Sequence, residues 1–145
     1  MFNHLLIVCT GNICRSPFAE ACFRQRLRES GRDVCVQSAG TGALVGHPAD
    51  EVTRRLAADR GLCLEGHRAV QVTADQALQA DLILVMEPAH RHHLLELCAP
   101  ARGKIFLLGH WSNQVIEDPY QRAEPVYLRV HEEISEAAQE WVWRM

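Results

Sequence analysis

Long apolar runs are missing from this sequence. The N-terminal stretch His4-Leu5-Leu6-Ile7-Val8-Cys9 falls far short of the ~20 residues of a membrane span, and no cationic region precedes it as in a secretory leader. A surplus of either charge is missing too: Asp+Glu 18 against Lys+Arg 15 gives a net charge of -3. That argues against non-specific nucleic-acid binding, while leaving room for a local cationic pocket. Lysine is nearly absent, Lys104 being the only one. The cations are therefore arginines, whose planar fork suits carboxylate and phosphate. No Cys-x-x-Cys pair occurs, which excludes a zinc ribbon or a thioredoxin motif. Repeats, low-complexity segments and linkers are lacking as well.

What remains is an ordinary globular balance, 48% hydrophobic and 23% charged, over 145 residues. That length fits one domain over 1–145, with a core large enough to need no disulfide or metal staple. The six cysteines (Cys9, Cys14, Cys22, Cys35, Cys63, Cys98) accordingly read as thiols in a reducing cytoplasm. The chain alternates between strand and helix signals. Residues 4–9 predict a buried strand, and Ser16-Pro17 opens a helix to about Ser30 that Gly31 stops. A second strand covers 34–36 and runs into a flexible turn, Ser38-Ala39-Gly40-Thr41-Gly42. Pro48 opens a helix to about Arg60, and Thr73 and Asp75 begin a short one. Residues 81–86 give a third strand, Pro88 a helix to about Cys98, and 104–108 a fourth strand. A long amphipathic helix closes the chain from about Glu124 to Trp143. Strands separated by helices imply an α/β fold, its parallel sheet covered on both faces. Ligands of such sheets sit beyond the carboxyl ends of the strands.

The segment at that place reads Cys9-Thr10-Gly11-Asn12-Ile13-Cys14-Arg15-Ser16-Pro17. A cysteine, five residues and an arginine is a weak pattern by itself, since Cys22 and Arg28 repeat it inside a predicted helix without glycine. The first copy leaves a strand, carries Gly11 and Asn12 for tight or left-handed backbone, and feeds a helix N-terminus. There, backbone N–H groups and the helix dipole favour an anion. The helix end and Arg15 favour the thiolate of Cys9, the Arg15 fork matches two phosphate oxygens, and Ser16 either hydrogen-bonds the thiolate or caps the helix.

With Ser38-Ala39-Gly40-Thr41, Gly46-His47-Pro48-Ala49-Asp50, Gly66-His67-Arg68-Ala69 and Asp118-Pro119-Tyr120, this loop resembles the low-molecular-weight protein-tyrosine phosphatases. The resemblance is strongest to the bacterial branch associated with capsule and exopolysaccharide production. It implies a three-layer sandwich around a four-stranded parallel sheet of order 2-1-3-4, with a phosphate-binding loop after the first strand. It also implies hydrolysis of phosphotyrosine through a cysteinyl-phosphate, without metal or other cofactor. Cys9 then matches the nucleophile, Arg15 the phosphate clamp and Asp118 the general acid. Thr10, Gly11, Asn12, Ile13, Cys14 and Ser16 form the loop, and Ser38 and His67 support it. Cys14 matches a second cysteine that protects the first from overoxidation. Leu44 and Tyr120 fall on the substrate cleft, where Leu44-Val45 replaces the large aromatics of animal members. The implied partner is a phosphotyrosine protein such as an autophosphorylating bacterial tyrosine kinase, with no nucleic acid and no stable membrane insertion.

Two other readings share these residues. A related arsenate reductase needs two further cysteines to pass a disulfide outward, and Cys63 and Cys98 lie outside the short helical segment used there. A non-catalytic anion-binding or redox-sensing module would hold an anion without turnover. His90, His92 and His93 read as a solvated helix, and His131-Glu132-Glu133 lacks the second histidine of a zincin. Trp141 and Trp143 sit two apart on the last helix and read as core and rim packing.

Overall fold

A computed structural model describes residues 2–145. Four parallel strands, β1 (His4–Cys9), β2 (Cys35–Gly40), β3 (Leu82–Val85) and β4 (Ile105–Leu107), form one sheet of order β2-β1-β3-β4. Ile7 pairs with Ser38 on one side and with Leu84 on the other. Between and after the strands run α1 (Arg15–Glu29), α2 (Glu51–Asp59), α3 (Ala74–Gln79), α4 (Pro88–Leu97) and α5 (Glu124–Arg144).

The period of two along β1 decides how the layers form. Leu5, Ile7 and Cys9 face a cluster with Phe18, Phe23 and Leu27 of α1 and Val130, Ile134 and Trp141 of α5. Leu6 and Val8 face the opposite cluster, with Ala77 of α3, Leu94 of α4, and Ala101. β3 divides likewise, Leu82 and Leu84 to the first cluster and Ile83 and Val85 to the second. A strand buried on both faces must be apolar throughout, which is why both runs carry no alternation. Truncating Ile7 or Leu84 to alanine would cost about 2–5 kcal/mol.

Local chemistry sets the helix starts. Thr73 and Gln76 form a reciprocal capping box for α3. The Asp50 carboxylate accepts from Thr53 N, so α2 begins at Glu51 and not at Pro48 as the sequence suggests. Residues before it form a turn at 45–46 and irregular backbone, held by Gly46 N donating to Ala69 O and Ala69 N to His47 O. Arg26 ties α1 to α5 through Ser135 Oγ (2.7 Å) and Gln139 Oε1 (2.7 Å), and Trp141 Nε1 donates to Leu108 O (2.8 Å). Trp143 points outward, so that pair does divide into core and rim. Among the described residues, no helix is long and apolar enough to cross a membrane.

Candidate active site

Residues 10–14 connect β1 to α1, and their carbonyls all turn outward. Thr10 O accepts from Gly42 N, Gly11 O from Leu44 N, Ile13 O from Asp50 N, and Cys14 O from Phe18 N. His67 Nε2 lies 2.7 Å from Asn12 O; a carbonyl only accepts, so this nitrogen carries the hydrogen. The amides of residues 11–14, by contrast, donate to no acceptor among the described residues. Carbonyls out and amides unpaired, ahead of a helix N-terminus, make a concavity of positive potential.

Asn12 makes that shape possible. Its φ of 57° is the left-handed kink of the loop, a role the sequence shared between Gly11 and Asn12. The fully buried Asn12 amide donates to Ser16 Oγ (2.8 Å) and Ser38 Oγ (3.0 Å), while its Oδ1 accepts from Val70 N (2.9 Å). Ser38 and His67 thus both hydrogen-bond to Asn12 of the loop. Gly40 is needed beneath it, because a Cβ there would sit 2.3 Å from Thr10 O. The flexible turn expected over 38–42 is thus corrected: β2 continues to Gly40, and glycine serves close approach.

The Cys9 sulfur ends β1, 2.9 Å from Ser16 Oγ. Because Ser16 Oγ already accepts from Asn12, its own hydrogen is available to the sulfur. Ser16 lies within α1 and Cys14 occupies the cap position, so the serine serves the thiol and does not cap the helix. Arg15 is 2% exposed and yet charged. Its Nη1 donates to Glu87 Oε1 (2.8 Å) and Ile116 O (2.7 Å), while Nη2 reaches Thr10 Oγ1 (3.4 Å) and lies 3.9 Å from Asp118 Oδ2. Such partners offset the large cost of burying a cation. Asp118 stands half-exposed at the rim, its Oδ1 accepting from Tyr120 N (3.1 Å).

Cys9, Thr10, Gly11, Ile13, Cys14, Arg15, Leu44, Asp118 and Tyr120 all line one cavity of about 200 Å³. A larger groove, about 770 Å³, opens behind α1 beside Arg24, Arg28 and His67, but Cys9, Arg15 and Asp118 do not line it. Size does not locate the chemistry here. Cys14 is buried, and burial with the nearby Asp50 carboxylate pushes its thiol up, partly opposed by the Thr53 hydroxyl.

Two participants escape the sequence. Glu87, 72 residues from Arg15, is its anionic partner. His90 is buried beneath the loop, with Nε2 2.9 Å from Thr10 Oγ1, which corrects its reading as part of a solvated helix. Nothing in one sequence says which face of α4 packs under residues 80 positions earlier. Facing Thr10 also takes His90 away from any shared use with His93. Neither Cys63 nor Cys98 lines the cavity that holds Cys9.

The comparisons agree with this geometry. The family model for low molecular weight phosphotyrosine protein phosphatase matches residues 4–145. The low molecular weight protein-tyrosine-phosphatase Etp of Escherichia coli K12 is 43% identical over 145 residues, covering 99% of this chain and 95% of Etp. The crystal structure of the tyrosine phosphatase Wzb from Escherichia coli K30 in complex with sulphate superposes with a TM-score of 0.93 at 41% identity, covering 99% of each chain. That of the Erwinia amylovora tyrosine phosphatase AmsI gives 0.95 at 40%, covering 100% of this chain and 94% of the other. Similarity of this extent, carried by the same fold and running the full length, places the chain in the low-molecular-weight phosphotyrosine protein phosphatase family.

Proposed function

We propose that the protein hydrolyses phosphotyrosine in proteins through a cysteinyl-phosphate, without a metal ion. One observation carries this reading: Cys9, the unpaired loop amides, Arg15 and Asp118 share one small cavity. A phosphoryl group seated on the amides and the Arg15 fork has its equatorial oxygens neutralised by the protein itself. Cys9 Sγ attacks phosphorus while Asp118 gives its proton to the departing phenol oxygen. The now ionised Asp118 then takes a proton from water, which attacks phosphorus and releases Cys9 as thiolate with inorganic phosphate.

Hydrolysis of an aryl phosphate and of a phosphotyrosine peptide, each with a metal chelator present, tests this. Activity should persist with chelator and vanish in Cys9→Ser, which still binds phosphate. Turnover by Cys9→Ser, or none by the unsubstituted protein, removes the reading.

The partner we infer is an autophosphorylating bacterial tyrosine kinase acting in capsule or exopolysaccharide production, in the cytoplasm where the kinase uses its nucleotide. The resemblance to that bacterial branch and the full-length similarity to Etp and AmsI support it. A trapping variant, Cys9→Ser or Asp118→Ala, should retain the phosphorylated kinase tail; release of the tail with the affinity of an unphosphorylated one removes the partner. We further infer that Cys14 captures oxidised Cys9 as a disulfide, as a resolving thiol that its burial keeps protonated at rest.

A further inference from the structure

We propose that His90 is a positioning residue of the anion cradle: as the neutral Nε2–H tautomer it donates to Thr10 Oγ1 and thereby fixes how Thr10 and Arg15 present their hydrogens to a bound phosphoryl group. The inference deepens the phosphatase reading above and rests on it.

The tautomer follows from donor and acceptor identities. Glu87 N donates to His90 Nδ1 (3.2 Å). A backbone amide can only donate, so Nδ1 holds the lone pair and the ring hydrogen of the neutral imidazole sits on Nε2. Nε2 lies 2.9 Å from Thr10 Oγ1 and must therefore donate to it. Arg15 Nη2 donates to the same oxygen at 3.4 Å. Two donors fill the two lone pairs of the hydroxyl. The Thr10 hydrogen then cannot return to either of them and is left for an oxyanion in the cavity that Thr10 lines.

The surroundings forbid the alternative protonation state. A hydrogen on Nδ1 would oppose the Glu87 N–H, and a charged ring would stand beside the Arg15 guanidinium. Burial, Arg15 and His93 hold the imidazole down to about 4, against the opposing pull of the Glu87 and Asp118 carboxylates. The ring is thus a fixed donor across the neutral range. Glu87 completes the arrangement, its amide orienting the imidazole and its carboxylate the other side of Arg15. One turn after β3 thereby sets both Thr10 and Arg15.

The test is a double-variant cycle on Thr10→Val and His90→Asn. Asparagine keeps an acceptor near Nδ1 but is too short to reach Thr10, and valine removes the hydroxyl at constant shape. Inorganic phosphate affinity is measured in the Cys9→Ser background, and kcat/KM for an aryl phosphate in the Cys9 proteins. Each single variant should lose about tenfold in both, the size of one buried hydrogen bond. The double variant should lose no more than either alone. His90→Gln, whose amide nitrogen reaches the Nε2 position, should recover most of the loss, and Thr10→Ser, which keeps the hydroxyl, should lose less than Thr10→Val. Additive losses, unchanged phosphate affinity in His90→Asn, or His90→Gln as impaired as His90→Asn would overturn the proposal. If His90→Asn fails to fold, Thr10→Val against Thr10→Ser decides from the exposed side of the bond: equal phosphate affinity overturns it, and a larger loss in valine than in serine upholds it. Absence of turnover by the unsubstituted protein would remove the phosphatase reading, while the phosphate-affinity cycle would still judge His90.

Discussion

A buried guanidinium 2.8 Å from Glu87 and 2.7 Å from Ile116 O has one edge committed to the protein and the other turned toward the cavity. Lysine cannot divide itself in this way, because its ammonium is a single point with no planar fork. Arg15→Lys should therefore bind inorganic phosphate at least tenfold more weakly and lose more in kcat, as read by titration and by aryl phosphate turnover. Glu87→Gln keeps an acceptor but removes the nearer of the two carboxylates that face the buried cation, and its unfolding free energy should fall by about 3 kcal/mol in urea titration. Asp118 belongs to a different argument. A general acid matters in proportion to how badly the leaving oxygen needs a proton, and a phenol near ~10 needs one badly. Asp118→Ala should cost on the order of 10²–10⁴-fold on phosphotyrosine-like esters, shrinking steadily as the phenol becomes more acidic. An equal loss for every leaving group, measured across a series of substituted phenyl phosphates, would make Asp118 structural.

Elements show where sequence reading succeeds and where it stops. β1 and β3 were legible because a parallel strand between two helix layers is apolar at every position. The shape of the Cys9–Pro17 segment was legible because its thiol, its left-handed kink and its guanidinium fall within a few adjacent residues. The end of β2 was not, because Gly40 is required by Thr10 O, thirty positions away, and not by any turn of its own. Gly40→Ala should cost about 1–3 kcal/mol and weaken phosphate binding together, since the loop must lift off the strand to admit a methyl. His131 was equally silent. On α5 it stacks on Phe18 of α1, with ring centroids 4.1 Å apart, and neither nitrogen has a partner among the described residues. Burial, with Arg60 nearby, pushes this imidazole down to about 4 from its usual 6.5. Between those values the unfolded chain binds a proton that the folded chain refuses. Stability is therefore complete above pH ~6.5 and declines as pH falls, for His131 by on the order of 2 kcal/mol by pH ~5. His131→Phe keeps the stacking and should flatten that part of the acid limb in urea titrations, leaving the slope due to His90, which burial holds down as well.

Across the whole molecule, the cavity gathers what the chain keeps apart. Cys9 and Arg15 come from the β1–α1 junction, Leu44 from beyond β2, and Asp118 and Tyr120 from beyond β4, while Glu87 and His90 after β3 hold Arg15 and Thr10 from behind. Every one of them lies at or past the carboxyl end of a strand, where the order β2-β1-β3-β4 sends the chain to opposite sides of β1. An oxyanion seated there touches segments from both sides of the sheet and is lost when they separate, so it binds the folded chain alone. By mass action, phosphate or vanadate at 100 times its Kd should add about 2.7 kcal/mol. For a chain of this size that raises Tm by roughly 5–10 °C. The rise should be unaffected by chelator, since the cradle supplies its charge from Arg15 and backbone amides. It should persist in Cys9→Ser, which keeps the cradle, and fall to about half or less in Arg15→Lys at the same anion concentration. Thermal unfolding followed by circular dichroism measures all three. A rise retained in full in Arg15→Lys would mean that the anion stabilises the protein from some other surface, and the four junctions would then be neighbours in space without acting as one site.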